Sequence, residues 1–246
     1  QGPALAVGDV NNDGLDDAYI GGGARKPRAL FIQQPNGTFI KSVQSAFSAP
    51  NPADETAALF FDADGDKDVD LYVVTGGNEF LPQDKLLADV LYLNDGKGNF
   101  TVSKGLPNLL ENGSCVAAAD YDRDGDQDLF VGTRMISSQY GYHPNSYLLQ
   151  NDGSGHFSDV TKQVMANNQL GMVTDARWVD LDKDGYPELI AVGDWMPILI
   201  LQNQKGKFPQ SLNRAIPNSN GWWNTLEPAD IDGDGDMDFI IGNLGR

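Results

Sequence analysis

One nine-residue pattern recurs five times along the 246-residue chain and limits what it can fold into more than any other feature. The copies read DVNNDGLDD from Asp9, DADGDKDVD from Asp62, DYDRDGDQD from Asp120, DLDKDGYPE from Asp180 and DIDGDGDMD from Asp230. They start 53, 58, 60 and 50 residues apart. Apolar runs precede them (ALAVG, AALFF, CVAAA, ARWV, and a weaker TLEPA) and follow them (AYIG, LYVV, LFVG, LIAV, FIIG). Self-similarity at such a period marks a repeat architecture.

A second feature shares the period. LFIQQPNGTFIKS, LYLNDGKGNFTVS, YLLQNDGSGHFSD and LILQNQKGKFPQS each run from apolar residues through an Asn/Asp/Gly turn to an aromatic-led polar run. That is a β-hairpin pattern. Phe39, Phe100, Phe157 and Phe208 occupy equivalent places. One repeat is therefore strand, acidic bend, strand, connection, strand, tight turn, strand. The second strand is apolar on both faces, so both are covered, and the fourth is polar enough for an outer edge. This predicts an all-β chain of four-stranded β-propeller blades. A solenoid would have shorter coils, and separate sandwiches would not repeat one bend five times. The repeats divide 1–246 into 1–52, 53–112, 113–170, 171–222 and an incomplete 223–246, or about four and a half blades of one partial propeller. Its completion is expected from sequence beyond this segment.

The formal charge of −18 argues against a nucleic-acid partner, whose phosphates demand a basic surface. The acid is concentrated: 23 of the 35 Asp and Glu lie inside the five windows. Outside them 12 acidic residues face 14 Lys and Arg, so the acidity belongs to five small sites. No apolar run approaches a membrane span. The opening QGPALAVGDV is not a signal peptide, so any export signal is expected outside the segment. The single cysteine, Cys115, excludes an internal disulfide framework and reads as a small buried residue.

Window positions 1, 3, 5 and 9 carry oxygen side chains. They are Asp9, Asn11, Asp13 and Asp17; Asp62, Asp64, Asp66 and Asp70; Asp120, Asp122, Asp124 and Asp128; Asp180, Asp182, Asp184 and Glu188; and Asp230, Asp232, Asp234 and Asp238. The position-7 carbonyls of Leu15, Asp68, Asp126, Tyr186 and Asp236 can complete each shell. Six to eight oxygens at flexible geometry suit Ca²⁺, whereas Mg²⁺ wants a stricter octahedron and Zn²⁺ prefers nitrogen and sulfur. An EF-hand would need a bidentate Glu at position 12, which here holds Ile20, Val73, Val131, Ala191 and Ile241. Up to five Ca²⁺ are expected, each clamping a strand-to-strand bend. The 62–70 site should be weakest, because Lys67 stands where the others have Gly14, Gly125, Gly185 and Gly235.

The pattern D-x-[DN]-x-D-G-x-x-D followed by an apolar strand resembles the FG-GAP/VCBS repeats of integrin-like propellers. FFDADGDKDVDLYVVTGGNEF and GWWNTLEPADIDGDGDMDFIIGNLG are similar to bacterial members of the cartilage acidic protein family. The resemblance implies a seven-bladed ring, calcium in the first inter-strand loop of many blades, and a place outside the cytoplasm. Millimolar extracellular calcium would fill sites that cytosolic calcium leaves empty, and a site at 100 times its Kd adds about 2.7 kcal/mol.

In such blades the calcium bends mark one face, leaving the other for partners. That face would collect 76–88, 134–145, 193–197 and 218–225, with Phe80, Tyr140, Tyr142, His143, Trp195, Trp222 and Trp223 as candidate contacts for sugars or protein anchors. Arg25, Lys26 and Arg134 could lend it positive charge. No acid–base pair stands outside the calcium bends, and GSG at 153–155 is a turn rather than a nucleophile elbow. The expected function is a calcium-stabilised extracellular module for protein or carbohydrate recognition at the cell surface, not an enzyme. Alternatives are a polysaccharide lyase or hydrolase, with its catalytic residues outside this segment or opposite the calcium bends, and a structural subunit of an outer-membrane complex.

Overall fold

A computed structural model of the chain describes residues 3–23, 26–48 and 52–245. The first sheet holds β1 (Leu5–Gly8), β2 (Asp17–Ile20), β3 (Ala29–Gln33) and β4 (Phe39–Ser42) in that order. The second holds β5 (Asp54–Phe61), β6 (Asp70–Gly76), β7 (Val90–Leu93) and β8 (Thr101–Val102). The third holds β9 (Asn112–Ala119), β10 (Asp128–Met135), β11 (Tyr147–Asn151) and β12 (Phe157–Asp159). The fourth holds β13 (Met172–Val179), β14 (Glu188–Met196), β15 (Leu199–Leu201) and β16 (Arg214–Ala215). A last hairpin, β17 (Gly221–Ala229) and β18 (Asp238–Asn243), joins that sheet through β14. The chain is all-β and made of four-stranded antiparallel propeller blades.

Burial follows the sequence pattern. In β6, DLYVVTG is buried throughout, as a strand bonded on both edges and covered on both faces must be. By contrast β4, β8 and β16 are short, largely exposed and at sheet edges, a form that discourages pairing with a second chain.

The contacts group into two compact units, Gln1–Gly113 with Asn151–Ser158, and Ser114–Gln150 with Asp159–Arg246. The first has a core of Tyr19, Leu30, Leu71, Val73, Tyr92 and Phe100, with Phe47 set edge-on to Tyr19 and Tyr92. Beside it the buried Arg28–Glu55 ion pair, 3.0 Å, is completed by Tyr19 Oη and Gly22 N–H donating to Glu55 Oε2 at 2.8 and 2.6 Å. A buried pair needs such added bonds to offset its desolvation. The second unit packs Tyr121, Phe130, Leu148, Val173, Leu189 and Phe208 in one cluster, and Val179, Ile190, Val192 and Leu226 in another. Cys115 is buried, and burial pushes its thiol up to about 12, consistent with a packing role.

The repeat boundaries shift slightly, since β9 and β17 begin at Asn112 and Gly221. In the fourth blade the outer strand is Arg214–Ala215 rather than the run at Phe208. Pro209 has no N–H to extend a ladder there, and Phe208 instead turns inward against Tyr121 and Trp178. Phe39 is 49% exposed while its three counterparts are buried. Phe100 packs into the core shared with the sheet before its own, and among the described residues no sheet precedes that of Phe39. The stretch 193–197 is mostly strand, because β14 runs on to Met196.

Candidate metal centres and ligand surface

Each acidic window fills the bend between the first two strands of its blade or hairpin. Position 9 opens the second strand: Asp17, Asp70, Asp128, Glu188 and Asp238 are the first residues of β2, β6, β10, β14 and β18. The bends share one conformation. Positions 4 and 6 both have positive φ: Asn12 and Gly14, Gly65 and Lys67, Arg123 and Gly125, Lys183 and Gly185, Gly233 and Gly235. In four of the bends the side chains at positions 1 and 3 turn toward a common centre, while Asp70, Asp184 and Asp238 stand outside the gathered groups.

Two hydrogen bonds recur in all five copies. The position-1 carboxylate accepts from the position-6 N–H, from Gly14 to Asp9 at 2.8 Å, Lys67 to Asp62 at 3.0, Gly125 to Asp120 at 3.2, Gly185 to Asp180 at 2.9 and Gly235 to Asp230 at 3.1. The position-5 carboxylate accepts from the position-7 N–H, in Asp13, Asp66, Asp124, Asp184 and Asp234. Position 9 ties the bend to the sheet. Asp70 accepts from Ala63 N–H and Asn94 N–H, both at 2.8 Å, Asp17 from Val10 and Gln33, and Glu188 from Leu181 and Asn203. A carboxylate oxygen keeps a second lone pair, so these bonds leave room for a cation.

Carboxylate oxygens gather within 4.8 Å in four windows: Asp62, Asp64 and Asp66; Asp120, Asp122, Asp124 and Asp128; Asp180, Asp182 and Glu188; Asp230, Asp232 and Asp234. The first window, with Asn11 in place of a carboxylate, shows no such gathering among the described residues. In these groups and at the adjoining position 7, Oδ1 of Asp64, Asp68, Asp120, Asp122 and Asp126 is buried with no hydrogen-bond partner among the described residues. Buried acceptors left unpaired are costly, so their convergence fits a hard, oxygen-seeking cation such as Ca²⁺. The crowding shows in acidity. Burial, then Asp66 and Asp64, push the Asp68 carboxyl up to about 6; burial, then Asp124 and Asp122, do the same to Asp126. Burial raises Asp70 to about 7 against two opposing N–H donors.

Three features of the bends escaped the sequence reading. The first is the left-handed backbone at position 4, which Asn, Gly, Arg and Lys all occupy, so no residue type betrays it. The second is how far the position-7 carboxylates of Asp68 and Asp126, legible as extra acids, are enclosed, with Oδ1 of each buried. The third is an amide latch. Asn94 Nδ2 donates to Val10 O in the preceding bend at 2.8 Å and to Val69 O in its own at 3.1 Å. Asn203 Nδ2 bridges Tyr121 O at 2.8 Å and Pro187 O at 3.0 Å in the same manner. Asn151 Nδ2 reaches Ala63 O at 2.8 Å. Their shared register in LND, QND and QNQ was legible, but it read as turn chemistry alone.

The candidate ligand residues separate. In the second unit Tyr140, Trp195 and Trp222 cluster on the surface, with ring centroids 5.2 Å apart for Tyr140–Trp195 and 6.2 Å for Trp195–Trp222. They lie at the strand ends opposite the acidic bends: 140 after β10, 195 near the end of β14, 222 near the start of β17. Trp223 turns inward onto the Val179–Leu226 cluster and donates its indole N–H to Ser219 O at 2.9 Å, so it is a packing residue. Tyr142 and His143 are exposed in the 136–146 connection. Phe80 is half-buried and belongs to the first unit. The Arg134 charge is met by Asp194, 2.8 Å away, and Lys26 is exposed; Arg25 lies outside the described residues.

Against known proteins, a model of the FG-GAP-like repeat matches residues 9–73, 62–131 and 180–241, each match running from one acidic bend through the next and into the strand that follows it. The chain belongs to the FG-GAP-like repeat family. Among solved structures, this FG-GAP-like chain is similar to an Agrocybe aegerita lectin that recognises non-reducing terminal N-acetylglucosamine (TM-score 0.56, 18% identity, 96% of this chain and 56% of the lectin). It also resembles a chain of the RAG complex with one melted and one unmelted RSS (0.52, 12%, 100% and 80%). A third is the V. cholerae biofilm matrix protein Bap1 (0.47, 16%, 98% and 34%). The chain spans about half the length of the lectin and a third of Bap1. Among the described residues no helix is long and apolar enough to cross a membrane.

Proposed function

We propose that the chain is a calcium-stabilised binding module working where calcium is abundant, outside the cell or at its surface, with a protein or glycan partner and no catalytic step of its own. One observation carries this reading: within the second unit, acidic bends occupy one end of the strands and an exposed aromatic cluster occupies the other. The bends would hold up to five Ca²⁺ through positions 1, 3, 5 and 9, with the side chains of Asp68 and Asp126 as added donors, and the 62–70 site weakest. The ion would neutralise carboxylates that otherwise repel one another, fixing the first two strands of each blade. The lectin similarity supports a recognition role through its fold alone.

Calorimetry in millimolar Ca²⁺ and after EDTA tests the metal half. Even one site filled to 100 times its Kd predicts a fall in Tm of at least about 5 °C on chelation. An unchanged Tm overturns it. A glycan array and pull-downs test the recognition half, and release of shortened or unsaturated sugar from a bound polysaccharide would replace the module with an enzyme.

A further inference from the structure

The aromatic cluster has a construction of its own. Along the β14–β17 pairing, Asp194 faces Trp222 and Met196 faces Gly221, so Trp195 is an extra, bulged residue. Its φ is +57°, a left-handed conformation that glycine adopts freely and a bulky side chain does not. Trp195 is nevertheless 58% exposed, so burial does not compensate the strain. Bulges of this kind re-aim a side chain, and unrelieved backbone strain concentrates at functional sites. Beside it Asp194 is 1% exposed. Its Oδ2 accepts from Arg134 Nε at 2.8 Å and from Tyr140 Oη at 3.0 Å, which fixes the tyrosine ring edge-on to Trp195 at 73°. The Arg134 side chain stays 21% exposed at the margin of the cluster.

We propose that Trp195, Tyr140 and Trp222 form a site for one neutral pyranose residue of a glycan, with the Arg134 guanidinium donating to its hydroxyls. The inference rests on the binding-module reading and narrows it to a ligand class. A pyranose with mostly equatorial hydroxyls has a face of C–H groups that stacks on the electron-rich face of an indole, while its rim offers acceptors to a guanidinium. Successive rings are inclined by 73° and 56°, so they offer no flat continuous track for an extended chain, and a single sugar can stack on one exposed indole face. The neighbouring surface is polar and small, with Ser138, Gln139, Tyr142 and His143 all exposed, unlike the broad apolar centre of a protein interface. Neutrality follows from charge: the Arg134 cation is already paired with Asp194, so its charge is not left over to offset an anionic sugar.

The test is titration of the protein in millimolar Ca²⁺ with cellotetraose, chitotetraose, xylotetraose and, as the anionic comparison, polygalacturonate, read by the indole ¹⁵N–H resonances of Trp195 and Trp222. At least one neutral oligosaccharide should shift both resonances. Trp195→Gly should weaken that binding at least about tenfold, with Tm equal to or above that of the parent, because glycine suits the bulge. Trp222→Ala, at a position outside the bulge, should weaken it as well. Silence from all three neutral probes, response to polygalacturonate alone, binding within twofold of the parent in Trp195→Gly, or a lowered Tm in that variant would each overturn the site. EDTA melting is a separate readout: a lost site with chelator-sensitive Tm leaves the module standing, and a confirmed site with chelator-insensitive Tm removes only the calcium.

Discussion

Lys67 is the one position-6 residue that is not glycine, and its φ of +77° places a β-carbon where the other four bends have none. Lys67→Gly should therefore stabilise the protein by about 1 kcal/mol, raising Tm by about 2–4 °C, and should tighten the 62–70 site by removing a competing cation. Calorimetry and calcium titration check both, and a lower Tm contradicts the assignment. Arg123→Gly at position 4 should gain less, because Arg123 lies over the Tyr186 ring at 5.4 Å and that contact would be lost. The strain at Lys67 could be read from the sequence because four glycines mark the position. The strain at Trp195 could not, because its bulge arises from pairing with a strand more than twenty residues away.

At the scale of the element, the acidic bend is a unit because its aspartates bond its own backbone. The element order was legible for a simple reason: apolar runs flank every window, and a strand buried on both faces leaves a continuous apolar signature, as in β6 and β14. The outer strands were less legible. They are short and polar, so local chemistry such as Pro209 outweighs pattern. The latch asparagines join bend to blade, and Asn203→Ala should leave the Tyr121 and Pro187 carbonyls without their donor. We expect a loss of about 1–3 kcal/mol and weaker calcium binding at both the 120–128 and 180–188 bends. Denaturant unfolding and calorimetric titration measure the two effects; a change confined to one bend would show that the amide serves only its own blade.

For the whole molecule, the net charge is the property that calcium changes most, since five divalent ions would take −18 to −8. In chelated protein the Asp68 and Asp126 carboxyls titrate near 6, above their ordinary value, so the folded state retains protons that the unfolded chain has released. Their contribution is complete below about pH 4 and is lost as pH rises through 6. Chelated protein should thus gain Tm on acidification from pH 7 to pH 5. Calcium-loaded protein should lose it over the same range, because protons then compete with the ion for the same oxygens. Scanning calorimetry at four pH values, with and without EDTA, compares the slopes; parallel slopes would mean the windows do not hold the metal. The placement of charge along the chain was plain from the sequence, whereas the grouping of sheets into two compact units was not, since it depends on contacts between residues far apart in order.

Asn94 and Asn203 each hold two consecutive bends with a single NH₂ group. Neighbouring loops so fastened cannot relax one at a time, and an ion that rigidifies the first lowers the entropic cost of filling the second. Uptake at each linked pair of bends should then rise more steeply with concentration than two independent sites would allow.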